Sequence, residues 1–152
     1  MQEGDAAPDF ELTAGDGSIV RLKDQRGTKV VLYFYPKDDT PGCTKEACSF
    51  RDSNETYVAR GAAVFGVSAD DARSHQKFST KFGLNFPLLS DPDHSVASAY
   101  DSWGPKKFMG REFLGVKRNT FLIDEGGRIA RIWENVHPEG HADEVMAAIR
   151  LG

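Results

Sequence analysis

Unbroken apolar runs alternate along the chain with stretches of helical spacing. Lys29–Tyr35 (KVVLYFY) is a continuous β-branched and aromatic run, which predicts a strand buried on both faces of a sheet. Ala63–Ser68, Phe86–Leu89 and Asn119–Asp124 read the same way, while Arg128–Trp133 alternates as an outer antiparallel strand would. Glu125-Gly126-Gly127 supplies the turn between the last two. Helical spacing covers Pro41 to about Arg60, Asp71–Phe82, Asp93 to about Tyr100 and about Ala142–Leu151. Near the N-terminus, Gly15-Asp16-Gly17 joins Asp9–Leu12 to Ile19–Leu22 as a small hairpin, too short and wrongly placed for a dinucleotide loop. Asp101–Lys117 is weakly patterned and reads as a long ordered loop, a type that is more often functional than idle.

The order is strand, helix, strand, helix, strand, helix, hairpin, helix. Alternation of this kind implies a partly parallel sheet with helices on both faces, and the last hairpin makes the sheet mixed. A thioredoxin-like α/β sandwich has this order. The 152 residues match one domain, 1–152, able to bury a single sizeable core.

A formal charge of −4 lacks the concentrated positive field that nucleic acid or anionic lipid would reward, so neither partner is expected. Met1–Asp9 carries acidic residues without an apolar signal core, and no apolar run reaches spanning length. The expectation is a soluble cytoplasmic protein with no membrane partner; a processed organellar form would look the same.

Chemistry enters with the two cysteines, Cys43 and Cys48. They are too few and too close to staple a secreted scaffold, and they fall short of the four ligands of a structural zinc site. Thr40-Pro41 is a strong helix start, with threonine expected to cap free amides and proline at the first helical position. Cys43 then falls in the first turn, where unpaired N–H groups and positive potential favour a thiolate nucleophile. Such settings lower a cysteine pKa from about 8.5 to between roughly 3.5 and 7.5. For each cysteine the alternative is a small buried apolar role. In a regular helix the pair is offset by a rise of about 7.5 Å and a rotation of about 140°, so the Cα atoms stand roughly 8.7 Å apart. A disulfide needs about 7 Å or less, so joining them requires the first turns to unwind.

Pro36-x-x-x-Thr40-x-x-Cys43 resembles the active-site signature of peroxiredoxins, and the following Cys48 is similar to the peroxiredoxin Q, or bacterioferritin comigratory protein, subfamily. Gly4-Asp5-x-Ala7-Pro8-Asp9-Phe10, Trp103-Gly104-x-Lys106 and Arg118-x-Thr120-Phe121-Leu122-Ile123-Asp124 resemble family segments in the same order. The resemblance covers essentially the whole chain. It implies that Cys43 attacks the peroxide O–O bond and becomes a sulfenic acid, which Cys48 resolves as an intramolecular disulfide. It implies that Thr40 holds peroxide and thiolate by hydrogen bonds, that Pro36 shields the sulfur from water, and that Arg118 sets its guanidinium beside the thiolate. Glu46 is a weaker candidate for the same network. The resemblance further implies hydrogen peroxide and organic hydroperoxides as substrates, thioredoxin or glutaredoxin as reductant, and a monomer. No metal, haem or flavin is needed.

Other features read as structural. Pro138 and Gly140 between His137 and His141 argue for a loop rather than a metal-binding helix face. His75 and His94 read as surface residues, and Asp93 as a helix cap. Lys106 and Lys107 read as a solvated loop pair, Trp133 and the phenylalanines as core, and Phe108, Met109 and Phe113 as a wall of the active site. Two other functions share these residues: a thiol–disulfide oxidoreductase, which usually spaces its cysteines C-x-x-C, and a peroxide sensor that oxidises once instead of cycling.

Overall fold

The computed structural model describes residues 1–149. Its main sheet has seven strands: β1 (Glu11–Ala14), β2 (Ile19–Arg21), β3 (Lys29–Phe34), β4 (Ala62–Ser68), β5 (Leu88–Ser90), β8 (Thr120–Ile123) and β9 (Ile129–Trp133). They lie in the order β2-β1-β5-β4-β3-β8-β9. β3, β4 and β5 are parallel neighbours, and β8 and β9 add antiparallel strands beyond β3. The central strand is the one the sequence marked most strongly. Val31, Leu32 and Phe34 are fully buried because β3 has a parallel neighbour on one side and an antiparallel one on the other.

Helices cover both faces. α1 (Pro41–Ala59), α2 (Ala72–Phe82) and α4 (His141–Ala148) share one apolar cluster, in which Phe50, Tyr57, Phe78 and Val145 meet Val31 and Tyr33 of β3. On the opposite face Val96, Ala97 and Tyr100, from and just after α3 (Ser95–Ala99), and Leu22 of a short 3-10 turn meet Leu32 and Phe34. The alternation of in and out along β3 therefore sorts its side chains into two cores. Gly66 is required within the first of these. A Cβ there would lie 2.8 Å from the Tyr33 hydroxyl and 2.9 Å from Leu88.

Several boundaries move. The N-terminal hairpin forms over Glu11–Ala14 and Ile19–Arg21, and it belongs to the main sheet because β1 pairs with β5. The third strand of the parallel part is Leu88–Ser90, shorter and later than expected. The last helix starts one residue earlier, at His141, and the end expected for it at Leu151 lies outside the described residues. The Asp101–Lys117 stretch is not a loop. It forms a separate two-stranded ribbon, β6 (Trp103–Phe108) with β7 (Arg111–Val116), and it leaves Phe108 67% and Met109 86% exposed at its tip.

The capping expectations also change. The Thr40 side chain makes no bond to the helix amides; its hydroxyl donates to the Lys37 carbonyl at 2.9 Å. Asp93 accepts from the Ser95 amide, while the buried Asp91 takes the Val96 and Ala97 amides at 3.2 and 2.9 Å. Asp91 reaches them from the end of β5, so a contact set by the sheet replaces the local cap. Neither His75 nor His94 is a surface residue. His75 is fully buried, and His94 stacks on Trp103 with ring centroids 3.7 Å apart. Trp133 is only half-buried.

Candidate active site

Pro41, Gly42 and Cys43 are the first three residues of α1, and the first intrahelical bond runs from the Thr44 amide to the Thr40 carbonyl. The Cys43 amide is thus among the helix's free donors. Burial of the Cys43 side chain on the underside of the first turn leaves it 1% exposed. Both cysteines are free thiols within one unbroken helix, Cys43 buried and Cys48 half-buried.

Arg118 reaches Cys43 from the other side of the sequence. Its Nη2 stands 3.2 Å from the Cys43 Sγ, and its Nη1 donates to Glu46 Oε1 at 2.8 Å. Three backbone contacts fix the segment that carries it. The Lys117 amide donates to Ser102, the Val136 amide donates to the Arg118 carbonyl, and the Phe34 amide donates to the Asn119 carbonyl. The Asn119 side chain, also buried, ties the segment to Ser102 and Asn135. Gly42 leaves room for the guanidinium, since a Cβ there would meet Arg118 Nη2 at 3.3 Å.

The electrostatics are those of one cation between two groups that can become anions. Burial pushes the Glu46 carboxyl up to about 7, against the opposing pull of Arg118. For Arg118, burial works against the charge, but Glu46 and Cys43 outweigh it and raise its pKa. Lys106, half-buried on β6, has its pKa lowered by burial and by the Arg118 charge, with Cys43 opposing. Its ammonium donates to the Val116 carbonyl at 2.8 Å. The solvated pair expected of Lys106 and Lys107 is therefore only half right.

The loop from Pro36 to Thr40 is anchored by a buried polar network that the sequence did not disclose. Tyr35 Oη donates to Asp38 Oδ1 at 2.6 Å, the Ser74 hydroxyl donates to Asp38 Oδ2 at 2.7 Å, and the Asp38 amide donates to Asp70. His75 Nδ1 lies 2.7 Å from Asp38 Oδ2, and its Nε2 lies 3.0 Å from the Leu89 carbonyl oxygen. Burial alone would raise the Asp38 pKa, but the bonds to His75 and Tyr35 outweigh it and lower it. The available signal was weak: His75 occupies the inward face of the α2 pattern, one turn before Phe78. Pro36, by contrast, is exposed just after β3.

Cys43 and Glu46 thus each contact Arg118, with Thr40 three residues before the cysteine and Cys48 about one and a half turns beyond it. A large cleft lies elsewhere, lined by Asp38, Asp71, Arg73 and Lys81 among others. A peroxide group is small and needs only the approach to the sulfur, so peroxide chemistry at the Cys43–Arg118 contact would not require a large cleft. His137 and His141 form no pair of ligands. His141 is buried against Thr120 Oγ1 at 2.8 Å and Glu144 Oε1 at 2.9 Å, and His137 is exposed.

The AhpC/TSA family model matches residues 3–132. Peroxiredoxin Bcp of Bacillus subtilis is 46% identical over 150 residues, covering 99% of this chain and 96% of the relative. Peroxiredoxin Bcp of Escherichia coli is 42% identical over 146 residues, covering 96% and 94%. Among solved structures, the Xanthomonas campestris bacterioferritin comigratory protein, described as having alkyl peroxide reduction activity, superposes with a TM-score of 0.88 at 39% identity, covering 92% of this chain and 89% of that one. A Xylella fastidiosa PrxQ variant gives a TM-score of 0.93 at 35% identity, covering 98% and 95%. Such similarity along nearly the whole chain, together with a buried cysteine held against an arginine at a helix start, means that the chain belongs to the AhpC/TSA family, among the peroxiredoxins called Bcp or peroxiredoxin Q, and is a thiol-dependent peroxidase.

Proposed function

We propose that Cys43 is the peroxidatic cysteine and Cys48 the resolving one, and that the enzyme cycles through an intramolecular disulfide recycled by thioredoxin. The observation that carries this reading is the 3.2 Å contact between Arg118 Nη2 and the Cys43 sulfur at the first turn of α1. A guanidinium and a helix N-terminus both favour the anion, and the thiolate is the form that attacks. Sulfur attack on the O–O bond gives the Cys43 sulfenic acid and releases the alcohol or water. Thr40 and Arg118 orient the peroxide oxygens, and Pro36 limits the approach of water. Cys48 then displaces hydroxide from the sulfenic sulfur, releasing water once protonated and leaving the disulfide.

Substrates are hydrogen peroxide and organic hydroperoxides. The resolving thiol comes from the same chain, which suits a monomer, and residues 1–152 act as one domain in the cytoplasm. The test is peroxide loss coupled to thioredoxin recycling. Wild type should turn over, Cys43→Ser should not, and Cys48→Ser should reduce one equivalent of peroxide without recycling. Turnover by Cys43→Ser near the wild-type rate would remove Cys43 from the centre. Single-turnover behaviour of the wild type would favour the sensor reading instead.

A further inference from the structure

Arg118 is shared. One nitrogen of its guanidinium faces the Cys43 sulfur and the other faces Glu46 Oε1, at 3.2 and 2.8 Å. Both acidic groups are 1% exposed, so neither gains from water what it lacks from the protein. A buried anion needs a partner, and a single cation compensates one charge far better than two. The second carboxylate oxygen, Glu46 Oε2, is buried without a hydrogen-bond partner among the described residues. That vacancy is costly for a carboxylate, whose charge both oxygens carry, and less so for a neutral carboxyl.

Among the described residues, the surroundings offer Glu46 no second cation. Tyr33, on β3, brings a neutral hydroxyl that is itself unpartnered, and burial followed by the nearby Glu46 and Cys43 holds its pKa well above the ordinary value. From β6, Lys106 directs its ammonium to the Val116 carbonyl. On α4, His141 is held by Thr120 and Glu144, and Asp38 is closed within its own network.

From this geometry we propose that Glu46 is the proton partner of Cys43: the two compete for Arg118, and the reactive thiolate form of the enzyme carries a proton on the Glu46 carboxyl. Ionisation inside the site is then Cys43–SH with Glu46–COO⁻ going to Cys43–S⁻ with Glu46–COOH, which leaves the buried charge unchanged. Attack restores the first arrangement. Thiolate, ROOH and Glu46–COOH give Cys43–SOH, ROH and Glu46–COO⁻; the S–O bond forms, the O–O bond breaks, and the proton count closes on the departing alcohol. The sulfenic acid is neutral, so Arg118 is returned to Glu46. The raised carboxyl value of about 7 agrees with this exchange. In this scheme Glu46 biases the thiolate through Arg118 and gives up the proton that closes the step, without itself touching the peroxide.

The inference rests on Cys43 as the nucleophile, but its test does not need peroxide. Glu46→Gln keeps an oxygen to accept from Arg118 and removes the competing charge. In a Cys48→Ser background, the rate of Cys43 alkylation by iodoacetamide is followed against pH. Coupled groups titrate in two macroscopic steps, so the parent should show a biphasic rise. The Gln variant should show a single rise and react at least twofold faster at pH 6 to 7. Superimposable profiles would reduce Glu46 to a holder of Arg118 and overturn the proposal. A second measurement needs no substitution at Glu46. At pH 8, infrared spectra of the wild type should show a protonated buried carboxyl that disappears once Cys43 is capped by iodoacetamide. A band absent before capping, or unchanged after it, also overturns the proposal. If wild type consumed no peroxide, the functional reading would fail while both measurements still decided the role of Glu46.

Discussion

At the scale of single residues, the sequence placed the helix start at Thr40-Pro41 correctly, because proline's fixed φ and missing donor suit only that position. It did not reveal where the Thr40 hydroxyl points, because several acceptors lie within reach of a short side chain. The hydroxyl donates to the Lys37 carbonyl and caps nothing. This separates stability from activity at one position. Losing a true N-cap costs typically about 1 kcal/mol and up to about 2, whereas Thr40→Val should change stability by less than about 1 kcal/mol, because the bond lost is an ordinary one on a half-buried side chain. If Thr40 also orients peroxide, the same substitution should slow Cys43 oxidation by tenfold or more. Chemical denaturation alongside stopped-flow peroxide kinetics reads both effects. A large stability loss with an unchanged oxidation rate would show that Thr40 serves the helix alone.

At the scale of elements, legibility followed burial. β3 and β4 were plain because their apolar runs are enclosed by neighbours on both sides, while the β6–β7 ribbon was invisible. Its strands leave apolar side chains such as Leu114 exposed, and its turn uses Met109 and Gly110, both at positive φ. Turns of that kind are usually announced by Asn-Gly or Asp-Gly.

For α1 the structure supplies what the sequence left open, namely how far the helix can unwind. Beyond Phe50, which stacks on Tyr33 with centroids 4.8 Å apart, the helix is tied to the end of α2 and the loop that follows it. Arg51 Nη1 donates to the Phe82 carbonyl, Asn85 Nδ2 donates to the Arg51 carbonyl, and Asn54 Nδ2 donates to the Asn85 carbonyl. Disulfide formation should therefore loosen Thr40 to about Ser49 and leave the rest of α1 closed. Amide exchange in the oxidised protein should be faster across that segment, with Asn54–Ala59 and β3 little changed. Exchange that is identical in both redox states, with the disulfide confirmed by mass, would rule out the unwinding.

At the scale of the whole molecule, the fold class was readable because the order of strands and helices admits few arrangements. The site was less so, because Arg118 and Glu46 are 72 positions apart and meet only once the sheet has formed. Their meeting bears on global stability through proton linkage. The folded-state value of Glu46, about 7, lies above its ordinary 4.5 because of burial. The folded protein therefore binds that proton more tightly than the unfolded chain does. The contribution is fully present below about pH 4.5 and is lost as pH rises through 7. His141 works in the opposite sense. Burial lowers its pKa despite Glu144, so its contribution is present above the ordinary histidine value and is lost as pH falls through the lowered one. Between pH 5 and 8 the two partly cancel, and Glu46→Gln removes one side of the balance. A shift from 4.5 to about 7 corresponds to at most about 3 kcal/mol, and each kcal/mol moves Tm by roughly 2–4 °C in a protein of this size. With the thiols capped by iodoacetamide in both proteins, so that Cys43 no longer competes for the proton, the Tm of Glu46→Gln minus that of the wild type should therefore increase by several degrees from pH 5 to pH 8, measured by calorimetry. Groups common to the two capped proteins then drop out of that difference. A difference that stays constant across this range would mean that Glu46 keeps its ordinary carboxylate charge inside the fold, paired with Arg118.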